Sequence, residues 1–181
     1  MDYIHTYLNA YIRFYTSDMI LHVDSDAAYL VALQARSRIA GYFYLLDHPN
    51  ITKHPKLNGA ILVECKTLRH VVSSSAEYEV AGIYHNFGIA IPIRKTLQGL
   101  NHPQPPTPLK TDNSTATGFV YENIQQKQSK AWGMRYYWLR DRQTKKQFDI
   151  FWEKRVNNEA DYFTKLHAIK DHLARQSRYK K

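Results

Sequence analysis

"LHVDSDAAYLV", Leu21 to Val31, alternates like a buried strand yet carries two carboxylates at its centre. Ile20, His22, Asp24 and Asp26 point one way in such a strand, and Leu21, Val23, Ser25 and Ala27 the other. Burying a carboxylate is costly unless it is paired, hydrogen-bonded or bound to metal. The reading of the chain therefore turns on what neutralises Asp24 and Asp26, both of which are candidates for a site.

Around this strand the sequence supplies a domain of ordinary size. The 181 residues, 44% of them hydrophobic, suffice for one core. No window reaches the roughly 18 apolar residues of a membrane span, and Met1 to Phe14 lacks the layout of a secretory signal. The expectation is a soluble, intracellular, cytoplasmic protein with no membrane partner, the nucleus and virus-like particles being alternative locations. The single cysteine, Cys65, forbids an intramolecular disulfide and a cysteine zinc cage, and reads as a packed strand residue. Residues 1–126 hold ten Lys/Arg and ten Asp/Glu, residues 127–181 fifteen and six, so the net charge of +9 belongs to the C-terminal part. With Trp132, Tyr136, Tyr137 and Trp138 interleaved, that asymmetry points to a polyanion, nucleic acid before lipid; solubility alone is the plain alternative.

Tyr3, Ile4, Tyr7, Leu8, Tyr11 and Ile12 predict an amphipathic N-terminal helix over residues 1–16. Strands follow at Met19–Leu30, Ile39–Leu46 and Gly59–Thr67. Val80, Ile83, Tyr84, Phe87 and Ile91 give a helix with one apolar face, which Pro92 bends or shortens. "NHPQPPTP" (Asn101–Pro108) reads as irregular and leads into a strand "LKTD" ending at Asp112. A helix at "NSTATG", a long helix over Gln128–Gln147, a strand Phe148–Lys154 and a final helix from about Glu159 to Gln176 complete the order. The main domain is residues 17–176, and 177–181 form a basic tail.

Acids occupy informative places in this order. Glu77 follows Ser74 at the spacing of a capping box, a local role. Glu79 shares the apolar face of its helix and so aims at the strand bearing Asp26, with no obvious Lys or Arg to pair it. Asp112 ends the fourth strand, where helix capping is the plain reading. Asp161 opens the last helix, where the helix dipole favours an acid. A divalent cation satisfies Asp26 and Glu79 together.

"SDAAYL" (25–30), "SSSAEYEVAG" (73–82), "TDNSTA" (111–116), "SKAWGMRYYWLRDR" (129–142) and "NNEADYFTK" (157–165), in this order, resemble the ribonuclease H domain of copia-type retrotransposon polyproteins over roughly residues 10–170. The N-terminal helix resembles the tail of the segment joining that domain to the reverse transcriptase. The resemblance implies a ribonuclease H-like α/β fold, a mixed five-stranded sheet of three antiparallel strands then two parallel ones, flanked by helices. It implies the catalytic and metal-binding set Asp26, Glu79, Asp112 and Asp161. Ala131 and Gly133 depart from it, standing where many relatives have His and Asp. No histidine lies between His102 and His167, so the loop before Asp161 lacks the one that cellular ribonucleases H carry. The other histidines form no metal motif.

The activity so implied is an endonuclease hydrolysing the RNA strand of RNA/DNA hybrids during retrotransposon reverse transcription. Four crowded acids raise one another's pKa, which two Mg²⁺ ions about 3.5–4 Å apart relieve, with Mn²⁺ able to substitute. Asp26 is expected to bridge both ions, Asp161 to serve the water-activating one, and Glu79 and Asp112 the one at the leaving oxygen. Contacts to the hybrid are expected from Ser25, Ser75, Asn113, Ser114 and Thr115 beside the acids. Phosphate contacts are expected from Lys130, Arg135, Arg142 and Lys146, the last three on one side of the long helix, while Trp132, Tyr136 and Leu139 pack. The reverse transcriptase of the same polyprotein is a further expected partner. A catalytically silent module that binds hybrid or single strands, and a scaffold for the reverse transcriptase, are the rival readings.

Overall fold

The structure is a computed structural model that describes residues 8–48, 57–69, 74–121 and 130–179. Strands β1 (Ile20–Ala32), β2 (Arg36–Leu46) and β3 (Ala60–Thr67) form an antiparallel meander, and β4 (Thr107–Thr111) and β5 (Phe148–Trp152) extend it in parallel, giving the order β3-β2-β1-β4-β5. Gln34 and Ala35, with φ of 59° and 53°, turn β1 back into β2. The ribonuclease H-like α/β fold expected of the sequence is the fold observed.

Alternation along the strands sorts two cores. Leu21, Val23, Phe43 and Leu45 face helix α1 (Ser75–Gly99) and pack with Val80, Ile83, Phe87 and Ala90. Leu139 and Tyr136 of α3 (Lys130–Thr144) close that layer with Phe148 and Ile150. Each large apolar side chain so buried contributes about 1.5–3 kcal/mol. On the other face Ala40, Tyr42, Tyr44 and Leu46 pack with Ala160, Phe163 and Tyr179. Phe163 belongs to a short helix α4 (Asp161–Thr164) and Tyr179 to α5 (Ile169–Tyr179); α2 (Ser114–Tyr121) follows β4.

Several expectations are corrected. Residues 8–19 form no helix: Arg13 O accepts from Gly59 N at 3.0 Å, and Tyr15 N donates to Asn58 Oδ1 at 2.8 Å, so this backbone bonds to the segment entering β3. The rest of the predicted helix, residues 1–7, lies outside the described residues. Helix α1 runs through Pro92 to Gly99, its far half anchored by buried Leu97 and by Arg94, which donates to Pro105 O at 2.5 Å and Gln104 O at 3.1 Å. Thr107 and Pro108 belong to β4; β1 pairs only with Leu109 and Lys110, so no neighbour there requires the N–H that proline lacks. β5 stops at Trp152, and Lys146 lies in the turn after α3 rather than on it. Cys65 is exposed on β3, its thiol donating to Phe163 O at 3.1 Å. The final helix is broken in two, with Lys165 in extended backbone (φ −125°, ψ 157°) ending α4.

Candidate active site

The site is built by register. Val23 pairs with Leu109 and Asp24 with Lys110, so two residues further on Asp26 stands level with Asp112, just beyond the end of β4. Ser74 caps α1, its hydroxyl accepting from Glu77 N at 3.3 Å, and the first turns then deliver Glu79 over the same strand ends. One oxygen of each of Asp26, Glu79 and Asp112 lies within 4.8 Å of the others. Asp26 and Glu79 are buried, at 1% and 4% exposure, and Asp112 is half-buried.

Burial dominates the electrostatics of this trio. It pushes Asp26 up to about 6, against the opposing charge of Lys165 and the hydrogen bond from Thr164, and Asp112 and Asp161 push further the same way. Glu79 is raised well above the usual carboxylate range by burial and then by the charges of Asp26 and Asp112; Lys165 and a hydrogen bond to Asn113 oppose this. Its Oε2 is buried with no hydrogen-bond partner among the described residues. Asp112 is raised by burial first. An orphaned buried carboxylate oxygen among three converging hard oxygen donors fits a divalent cation of the Mg²⁺ or Mn²⁺ type.

Asp161 is placed beside this trio, not within it. Fully buried, it pairs with Arg155 Nε at 2.6 Å, with Lys165 Nζ, and with Arg175 Nη1 at 2.9 Å. Burial pushes it up, but Lys165, then Arg155 and Arg175, outweigh that and hold it below the usual range. Lys165 links it to Asp26, whose Oδ2 stands 3.8 Å from Nζ and accepts from the Thr164 hydroxyl. Lys165 thus gives Asp26 a basic partner that the sequence reading had not named. Thr164, Lys165, Arg155 and Arg175 escaped the sequence reading, although Thr164 and Lys165 lie inside "NNEADYFTK".

Asp24 resolves away from the trio. Its carboxylate accepts from Tyr44 Oη at 3.0 Å, Lys110 Nζ at 3.0 Å and Glu159 N at 2.8 Å, so the protein itself satisfies it.

The expected nucleic-acid contacts divide. Ser25 is fully buried on the α1 face, its hydroxyl accepting from Asn86 Nδ2 at 2.8 Å, which corrects its assignment as a surface contact. Asn113 is half-buried and bonded to Glu79, and Ser114 is exposed at the start of α2. The side chains of Ser75, Thr115 and Lys130, and those of Ala131 and Trp132, lie outside the described ones. Arg135 stands 5.9 Å from the Tyr84 ring centroid, Arg142 5.0 Å from that of Trp138, and Lys146 is exposed.

Among solved structures, the chain is similar to the N-terminal RNase H domain of a Mycobacterium tuberculosis protein, at 10% identity and a TM-score of 0.53, over 88% of this chain and 98% of that one. LC11-RNase H1, isolated from compost by a metagenomic approach, matches at 7% identity and a TM-score of 0.56, over 80% and 91%. The fold is that of ribonuclease H. LC11-RNase H1 in complex with an RNA/DNA hybrid gives 10% identity and a TM-score of 0.50, over 86% of this chain and 99% of that one. No protein-family model matches the chain, and no curated protein matches it. On a ribonuclease H fold the trio lies where the middle of β1, at Asp26, runs level with the end of β4, beneath the first turns of α1. No helix among the described residues is long and apolar enough to cross a membrane.

Proposed function

We propose that this chain is a metal-dependent endonuclease that hydrolyses the RNA strand of RNA/DNA hybrids, acting in the reverse transcription of a copia-type retrotransposon beside the reverse transcriptase of its polyprotein, in the cytoplasm or in virus-like particles. The observation that carries the chemistry is the convergence of Asp26, Glu79 and Asp112 within 4.8 Å, with Asp161 joined to them through Lys165. The element is argued from the five sequence motifs.

Asp26, Glu79 and Asp112 would hold the cation, and Asp161 would complete the set. Divalent metal, when bound, supplies the Lewis acidity that makes water nucleophilic near neutral pH and neutralises charge on the phosphate under attack. The chain's own groups prepare the place. Thr164 fixes the orientation of Asp26, and Asn113 fixes that of Glu79. Lys165 supplies positive charge between Asp26 and Asp161. Ser114 and Lys146 are exposed for backbone contact with the hybrid.

The test incubates labelled RNA/DNA hybrid, duplex DNA and duplex RNA with the protein in Mg²⁺ or EDTA, beside Asp112→Asn. Cleavage confined to the RNA of the hybrid, abolished by EDTA and reduced at least about 10²-fold by the substitution, is expected for loss of a metal-held transition state. Hybrid cleavage that survives Asp112→Asn removes this site. The capture of Asp161 by three cations favours the second reading, a silent hybrid-binding module. Tight hybrid binding without cleavage in Mg²⁺ or Mn²⁺ would select it.

A further inference from the structure

The three bonds that satisfy Asp24 come from three different elements, and one of them is the loop that precedes Asp161. Asp24 is fully buried and lies two residues before Asp26 on β1. Its Oδ2 accepts from Glu159 N at 2.8 Å and from Lys110 Nζ at 3.0 Å. Lys110 also donates to Asn157 O at 2.9 Å. Between these two contacts, Asn158 Nδ2 donates to Ser25 O at 2.9 Å, and Asn158 Oδ1 accepts from Ala160 N at 3.0 Å. The segment 157–160 has only the end of a 3-10 turn and two turn residues as its own structure, so other elements fix its position: β1 and β4 by these bonds, α5 by Tyr179 Oη donating to Glu159 O at 3.0 Å and by the Arg178–Glu159 pair, and β2 by packing against Ala160.

We propose that Asp24 and Lys110 are positioning residues, clasping the 157–160 loop to β1 and so setting where Asp161 presents its carboxylate relative to Asp26. The inference rests on the nuclease reading and adds to it residues outside the acid set. A buried ion pair is a poor source of stability, since an apolar pair of similar volume often serves the fold as well. What an apolar pair lacks is the directed bonding to Glu159 N and Asn157 O. The strand that carries Asp26 also holds the loop that carries Asp161, so the clasp acts on the separation of the two acids beside the Lys165 and Thr164 links. Misplacement by about 1 Å can cost a reaction about 10²-fold.

The experiment compares wild type with Asp24→Asn, Lys110→Met and the double variant Asp24→Leu/Lys110→Met. Thermal melting, kcat and KM on the RNA/DNA hybrid, and Mn²⁺ affinity by electron paramagnetic resonance are measured on each. The double variant is expected to stay folded, because the charges leave together. Its kcat should fall about 10–100-fold and its Mn²⁺ affinity about tenfold, as for groups that orient metal ligands, with KM for the hybrid little changed. Lys110→Arg, which keeps the donor, should recover most of the kcat lost in Lys110→Met. Folded variants with wild-type kcat and Mn²⁺ affinity overturn the clasp; if the double variant does not fold, Asp24→Asn decides by the same two readouts. A wild type that binds Mn²⁺ but leaves hybrid intact overturns the nuclease reading alone, and Mn²⁺ affinity then judges the clasp. A wild type that does neither overturns both.

Discussion

Asp26→Asn should stabilise the metal-free protein at neutral pH while removing cleavage. The carboxyl is 1% exposed, so solvent screens it little, and burial carries its pKa from 3.8 to about 6. The folded chain therefore binds this proton more tightly than the unfolded chain. The group's contribution to stability is fully present below about pH 4 and is lost as pH rises through about 6, where ionisation in place costs the fold. A difference of about 2 pKa units corresponds to about 3 kcal/mol. At about 2–4 °C per kcal/mol for a chain of this size, Asp26→Asn should raise the melting temperature by roughly 6–12 °C at pH 8 in EDTA. The gain should nearly vanish near pH 3.5, where the wild-type carboxyl is protonated in the folded state and mostly protonated in the unfolded one. Excess Mg²⁺ should raise the wild type more than the variant, since it binds the folded site. The assay is circular dichroism melting at both pH values, with EDTA and with Mg²⁺. A variant that melts at or below wild type at pH 8 in EDTA refutes the reasoning, because Lys165 would then already repay the burial of Asp26.

Lys165→Met should deepen that effect: the stabilisation by Asp26→Asn at pH 8 grows by about 0.5–3 kcal/mol in the Lys165→Met background, read from a double-mutant cycle of melting curves. Gly41→Ala would place a Cβ 2.5 Å from Asn86 Oδ1 and 2.7 Å from the Phe43 ring, and should cost about 1–3 kcal/mol in urea unfolding. Lys146→Ala should flatten the slope of log affinity for hybrid against log salt by about one unit, measured by fluorescence anisotropy between low and moderate salt. An unchanged slope would place Lys146 off the nucleic-acid path.

The sequence could be read wherever one local rule decided the outcome. Alternation gave β1 because that strand separates an α1 face from an opposite face, as Val23 and Asp24 do. The apolar spacing of Val80, Ile83 and Phe87 gave α1, and with it the direction of Glu79. It failed where distant backbone competed. Tyr11 and Ile12 have helical spacing, but Asn58 and Gly59 take the hydrogen bonds of Arg13 and Tyr15. The last helix read as continuous, yet the Thr164 hydroxyl turns to Asp26 and Lys165 leaves helical backbone to reach the acids. Asp26 and Asp24 were inseparable by pattern, being on one face. Only the register with Lys110 and the approach of Glu159 N separate them.

The cations were the least legible part, and their distribution bears most on function. Long basic side chains reach the acids from Arg155, Lys165 and Arg175, positions whose convergence depends on the break between α4 and α5. All three serve Asp161, and only Lys165 also reaches Asp26. The positive charge is thus gathered at one end of the acid group, whereas Glu79 has an unpartnered oxygen at the other. Asp161 is held below its usual pKa and Glu79 well above. A group of acids so divided has its charge deficit between Asp26, Glu79 and Asp112, the place an added cation would neutralise most. Asp161 would join it there most readily by releasing one of the two partners on its Oδ1. Lys165 suits that exchange better than either arginine, because an ammonium on a flexible stem can be redirected where a guanidinium fork is committed to its geometry.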